Sequence, residues 1–212
     1  MRKSILIIFV VLIIFGGFVY YKKSATPQIN PEVTTYRNSN LGISFKYPKK
    51  LQVTGNNERI TLHHEVQFTH HDYCDFVGES TTTIDTLTDF HVTLHIVNKN
   101  LVDTVRSESP YIPEENFLNG KIVPSPGFID PVDFGNLKGF SIFEGAEGCG
   151  HTVYYLTVSD KKTLVVINDF ITIFSGSIDT ENMQKALQVP GVINRESAES
   201  LFDDFIKNLV VR

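Results

Sequence analysis

The chain has 212 residues and a mass of 23.9 kDa, room for one membrane-spanning segment and one domain. Hydrophobic residues make up 42% and charged residues 20%, with 14 Gly and 9 Pro; these ordinary globular values rule out collagen, a coiled coil and wholesale disorder. Net charge is −5, yet the first 23 residues hold Arg2, Lys3, Lys22 and Lys23 and no acid, so the remainder carries 15 basic and 24 acidic side chains. No local basic patch is visible in that remainder, and so acidic a chain is repelled by phosphates, so nucleic acid is not an expected partner.

Ile5 to Tyr21 is an uncharged run of 17 residues between Arg2-Lys3 and Lys22-Lys23. As a helix it spans roughly 26 Å, close to the hydrocarbon core of a bilayer, and snorkelling lysines with the interfacial pair Tyr20-Tyr21 make up the difference. Residues 1–23 are therefore expected to be an N-terminal transmembrane signal anchor with the lipid bilayer as partner. A cleaved signal peptide is the alternative, but cleavage after Ala25 would put Lys23 where a small side chain is wanted. A buried core helix is the third reading. The short tail before the span and the large domain after it fit an N-in, C-out orientation. Residues 24–40 are polar, with Pro27 and Pro31, and suit a flexible tether. The domain is then expected over 41–212.

Gly42 to Pro48 alternates, with Ile43, Phe45 and Tyr47 on one face and Pro48 as a stop, which predicts a half-buried strand. A short strand over Leu51 to Thr54 ends at Gly55-Asn56-Asn57. Ile60, Leu62, His64, Val66 and Phe68 make a third alternating run, and Phe90, Val92, Leu94 and Ile96 a fourth. Lys138 to Phe143, Val153 to Val158 and Thr163 to Asp169 complete the set, the last two joined by a hairpin at Ser159-Asp160-Lys161-Lys162. A short helix is expected over Glu181 to Leu187, ended by Pro190-Gly191. A longer one starts near Ser197, capped by Asn194 or Ser197, with Leu201, Phe202, Phe205, Ile206 and Leu209 on one face. The stretch 98–117 has room for a helical turn that the pattern does not place. Residues 119–137, with Pro124, Pro126 and Pro131, read as a long surface loop. The fold class is α+β: an antiparallel β-sheet with the C-terminal helix packed on it.

The opening Tyr36-Arg37-Asn38-Ser39-Asn40-Leu41-Gly42-Ile43-Ser44-Phe45-Lys46-Tyr47-Pro48 resembles the start of PsbP-like domains, where a short strand ending in Tyr-Pro begins an antiparallel sheet. The late hairpin and the closing helix (Glu199 to Leu209) are similar to that family's ending. The resemblance covers about residues 40–209 in order of elements, and in detail only the first dozen residues. It implies a PsbP-like α/β/α sandwich, carries no catalytic residue across, and implies a non-enzymatic binding or assembly module with a protein partner. Short anchored proteins of this build resemble bacterial envelope proteins, so the expected place is a bacterial cell membrane, single-pass, with the domain outside the cytoplasm.

Cys74 and Cys149 are an even pair 75 residues apart with no other thiol, the usage of one disulfide in an oxidising compartment; closing so long a loop could contribute about 3–4 kcal/mol. Two unrelated buried thiols are the alternative. All seven histidines fall between His63 and His151. The sharpest metal reading joins His70 and His71, beside Cys74, with His151, beside Cys149, as zinc-type ligands. A Cys74–Cys149 disulfide removes both thiolates from it, and surface histidines beside a structural bond are the plainer reading. His63, His91 and His95 would share the polar face of the sheet with Glu65 as a pH-sensing face. No G-x-S-x-G, H-E-x-x-H or Walker A pattern occurs, so no catalytic residue and no cofactor is expected, zinc being the one alternative. The glycines of Glu144-Gly145-Ala146-Glu147-Gly148-Cys149-Gly150 are expected to let the chain turn tightly and bring Cys149 to its partner.

Overall fold

A computed structural model describes residues 32–71, 74, 83–146, 149–174 and 180–212. The folded unit begins at Val33. Strand β1 (Val33–Asn38) pairs antiparallel with β2 (Ile43–Pro48), Tyr36 opposite Phe45 and Arg37 opposite Ser44. Residues 33–38, expected in the tether, are thus strand: Thr34, Tyr36 and Asn38 alternate half-buried against exposed neighbours, a pattern too short to stand out beside Pro27 and Pro31. Among the described residues no helix is long and apolar enough to cross a membrane, and the anchor expected over residues 1–23 lies outside them.

Strand β3 (Gln52–Gly55) leads into β4 (Arg59–His71) and β5 (Thr83–Val97), both longer than their apolar alternation. Helix α1 (Leu101–Glu108) follows, its Asn100 side chain accepting from the Asp103 N–H at 2.9 Å. A two-strand ribbon, β6 (Phe117–Leu118) with β7 (Lys121–Ile122), comes next, then β8 (Ile129–Asp133). The long loop expected over 119–137 therefore holds two strands. Pro131 survives in β8 because that strand is an edge, where a missing N–H costs no ladder bond. Strands β9 (Lys138–Ala146), β10 (Cys149–Ser159) and β11 (Lys162–Asp169) follow, β10 turning into β11 through Asp160-Lys161. Helices α2 (Thr180–Leu187) and α3 (Arg195–Lys207) and the short β12 (Val210–Val211) close the chain. The Asn194 side chain caps α3 by accepting from the Ser197 N–H at 2.9 Å.

Strands β3-β4-β5-β11-β10-β9-β8 form one seven-stranded antiparallel sheet, and β1-β2-β12 a second of three. Alternation gives the large sheet two faces. Ile60, Leu62, Phe90, Val92, Leu94, Leu164 and Val166 point to one, where β2 and α3 bury Ile43, Phe45, Phe202, Phe205 and Ile206 against them. Val153, Tyr155, Val165 and Ile142 point to the other, under Val105 of α1 and Ile112. Near the far end of β4 and β5, α2 covers Leu87 with Ala186. Helices on both sides of the sheet make three layers, with apolar surface buried in both seams.

Candidate functional site

The second face of the large sheet carries an unbroken row of titratable side chains along one rung. His63 of β4 lies opposite His91 of β5. One step beyond the Asn168–Val92 pair, His91 meets Asp169 of β11, and Asp169 lies opposite His151 of β10, itself opposite Glu144 of β9. The strand period of two places all five on one side. Side chains close the row: His91 Nδ1 is 2.5 Å from Asp169 Oδ2, His151 Nδ1 is 3.8 Å from Asp169 Oδ1, and His151 Nε2 is 3.1 Å from Glu144 Oε2. His91, Asp169 and His151 are each about one-third exposed, so solvent reaches them.

The end of α1 extends the row into the protein. Ser109, at the helix C-cap, donates Oγ–H to Glu144 Oε1 at 2.6 Å and lies 2.7 Å from the Tyr155 hydroxyl. One hydroxyl has one proton, so the Tyr155 O–H donates to Ser109. The Tyr111 phenol lies close enough for the Glu144 carboxylate to influence it. Burial first, and then the Glu144 charge, push both phenols above the usual tyrosine range, although the Ser109 contact pulls the other way. Glu144 thus accepts a hydrogen bond from Ser109 and pairs with His151. Ser109 is held between the Glu144 carboxylate and the Tyr155 hydroxyl.

Two rungs along, His95 Nε2 sits 3.4 Å from Glu108 Oε2 while its Nδ1 is buried with no hydrogen-bond partner. Burial pushes this imidazole below the usual histidine range, outweighing the Glu108 charge that pulls it up; Arg59 adds to the lowering. Of the three histidines expected to share a polar face, His63 and His91 are direct neighbours and His95 stands apart, on the same face. Glu65 follows an irregularity in the β4–β5 register.

His64 turns to the opposite face and bonds Asp89, Nδ1 to Oδ1 at 2.6 Å. Asp89 is fully buried, and its other oxygen accepts the Ile193 N–H at 2.6 Å. Register passes from His64–Phe90 to Glu65–Thr88, which leaves Asp89 as the extra residue of a bulge that re-aims its side chain. Asp89 stands at an odd position, where the alternation of Phe90, Val92 and Leu94 predicts an outward side chain, so only the bulge turns it inward.

Cys74 and Cys149 are bonded, Cα atoms 5.7 Å apart. Gly150 and Gly145 lie opposite each other beside it, and Gly150 has φ +117°. A Cβ there would fall 2.1 Å from the Glu144 carbonyl oxygen, so a side chain is excluded. The bond removes both thiolates from the metal reading, and the three histidines of that reading are not brought together. His70 Nδ1 is 2.7 Å from the His71 carbonyl oxygen. The strands of His70 and His151 have β5 and β11 between them, a lateral gap of about 14 Å before a seven-residue offset along the strand is added. Among the described residues no group of three or more His, Cys, Asp or Glu is arranged to hold a metal ion; Asp72, Tyr73 and Asp75 lie outside them.

The fold also assembles what the linear sequence does not show. Arg37, Lys46, Lys162, Lys207 and Arg212, from five separate places, line one groove of about 840 Å³ with no Asp or Glu in its lining. The expectation of no basic patch is corrected: strand pairing gathers charges far apart in sequence.

No family model matches the sequence, and no curated protein matches it. Among solved structures the chain is similar to the solution structure of cyanobacterial PsbP (CyanoP) from Synechocystis sp. PCC 6803, at 10% sequence identity over 89% of this chain and 98% of that chain, with a TM-score of 0.36. At this level of overlap the site is read from the chain's own residues.

Proposed function

We propose that the chain is a membrane-anchored, extracytoplasmic domain of a bacterial envelope that binds or assembles with a protein partner and does not catalyse a reaction. The observation that carries the compartment is the Cys74–Cys149 bond, since disulfides persist where the surroundings are oxidising. The apolar run Ile5 to Tyr21 supplies the means of attachment. Support for binding over catalysis comes from the opening Tyr36 to Pro48, whose resemblance to PsbP-like domains carries no catalytic residue across.

One fractionation experiment tests this. Cells are lysed into an alkylating reagent, membranes are washed with carbonate, and the intact mass is read with and without reductant. The expected result is a chain that stays with membranes, shows two thiols only after reduction, and is digested by protease added outside intact protoplasts. A carbonate-soluble chain with two free thiols would overturn the proposal.

A further inference from the structure

We infer that the outer face of the β1-β2-β12 sheet docks on anionic phospholipid headgroups, laying the domain on the membrane that anchors it. Strand alternation turns Tyr36, Ile43 and Phe45 into the core and leaves Arg37, Ser44 and Lys46 pointing outward. Lys162 from the β10–β11 turn, Lys207 from the end of α3 and Arg212 after β12 complete the groove. Five of the 15 basic side chains beyond residue 23 meet here, in a portion of chain with 24 acids. Chance placement on so acidic a domain would mix the signs.

Local compensation is slight. Lys207 pairs with Asp203 at 3.7 Å, and Lys162 reaches the main-chain oxygen of Arg212 at 3.4 Å. Arg37 and Lys46 have no carboxylate partner among the described residues. Asn40, Ser44 and Asn208 add hydrogen-bonding groups suited to phosphate oxygens.

Charge complementarity selects the occupant. Headgroups of an anionic bilayer form an extended negative surface, and each Lys or Arg held near one strengthens attachment roughly fivefold. The chain also enters the folded unit through β1, an edge strand of this sheet. Residues 24–32 lie between it and Lys23, a reach of at most about 30 Å. This inference rests on the proposed anchor.

The test reconstitutes the full chain into vesicles of phosphatidylcholine alone, or with roughly one-third phosphatidylglycerol. Lysines are acetylated under limiting reagent and read by peptide mass. In the anionic vesicles Lys46, Lys162 and Lys207 should be labelled about fivefold more slowly than in neutral ones, the difference should vanish at high salt, and Lys121 and Lys138, on strands β7 and β9, should be unchanged. The double substitution Arg37→Glu with Lys46→Glu, on exposed outward positions, should abolish protection of Lys162 and Lys207 with an unchanged circular dichroism spectrum. Equal labelling in both vesicle types, with the chain floating alongside them, overturns the docking face alone. Equal protection in both points to a second copy or another protein on the face and overturns it too. A chain that floats with neither vesicle overturns the anchor as well.

Discussion

At the residue scale the face turns on imidazoles and their partners. His95 is the clearest case. Its Nδ1 is buried without a partner, and burial holds the ring below the usual histidine range despite Glu108 beside it. A histidine with a lowered folded-state pKa binds its proton more readily when unfolded. Stability from this group is therefore complete above the unfolded value near 6.5, and it is lost as pH falls from there, levelling off below the folded value. The quantity to read is the difference between two proteins, which isolates this one group. Urea midpoints of wild type and His95→Gln, measured from pH 8 to pH 4.5, should show the wild type losing stability more steeply as acid is added. Parallel curves would mean that His95 is solvated in solution. Its place on the polar face was legible from the alternation of Phe90, Val92, Leu94 and Ile96. Its missing partner was not, because Glu108 and Arg59 come from other elements.

At the element scale one buried acid ties two layers. Asp89 occupies the extra position of a bulge between β4 and β5 and accepts from both His64 and the Ile193 N–H. Ile193 precedes Asn194, the cap of α3, so the carboxylate positions the start of the helix that covers the sheet. Removing it strands a buried donor and an imidazole, and such losses run to about 3 kcal/mol. Asp89→Ala should lower urea-unfolding free energy by about that much, while Asp89→Asn, which keeps an acceptor for Ile193, should lose less. Equal losses would assign the effect to volume and not to hydrogen bonding. The elements themselves were largely legible: alternation marks β2, β4, β5, β9, β10 and β11, and one apolar face marks α3. Helix α1 escaped placement although Asn100 caps it and Leu101, Val102 and Val105 share a face; eight residues give too few repeats for periodicity to stand out. Strand β8 escaped because Pro131 argues for a loop unless the strand is known to be an edge.

At the scale of the whole molecule the Cys74–Cys149 bond joins the chain after β4 to the start of β10, across a sequence separation of 75 residues. Neither strand is the other's neighbour in the sheet, since β5 and β11 lie between. Breaking the bond frees a long loop in the unfolded chain, worth about 3–4 kcal/mol. Replacing both cysteines by serine should lower the unfolding free energy by that amount with little change in the native circular dichroism spectrum. An unchanged denaturation midpoint would show that the unfolded chain is already restrained there. The same scale holds the division of charge, with an acidic domain that keeps one basic face on its smaller sheet.

Local patterning was enough to determine the α+β class, most strands, the closing helix and the pairing of the only two cysteines, because periods of two and 3.6 and the count of thiols are properties of the chain itself. The histidine–carboxylate row, the reach of Ser109 to Glu144, the turn of Asp89 toward Ile193 and the basic groove were decided only by tertiary structure. Each joins side chains from different strands or helices, and which of them meet depends on strand order, register and a single-residue bulge. A shift of one residue in a strand sends every side chain to the other face.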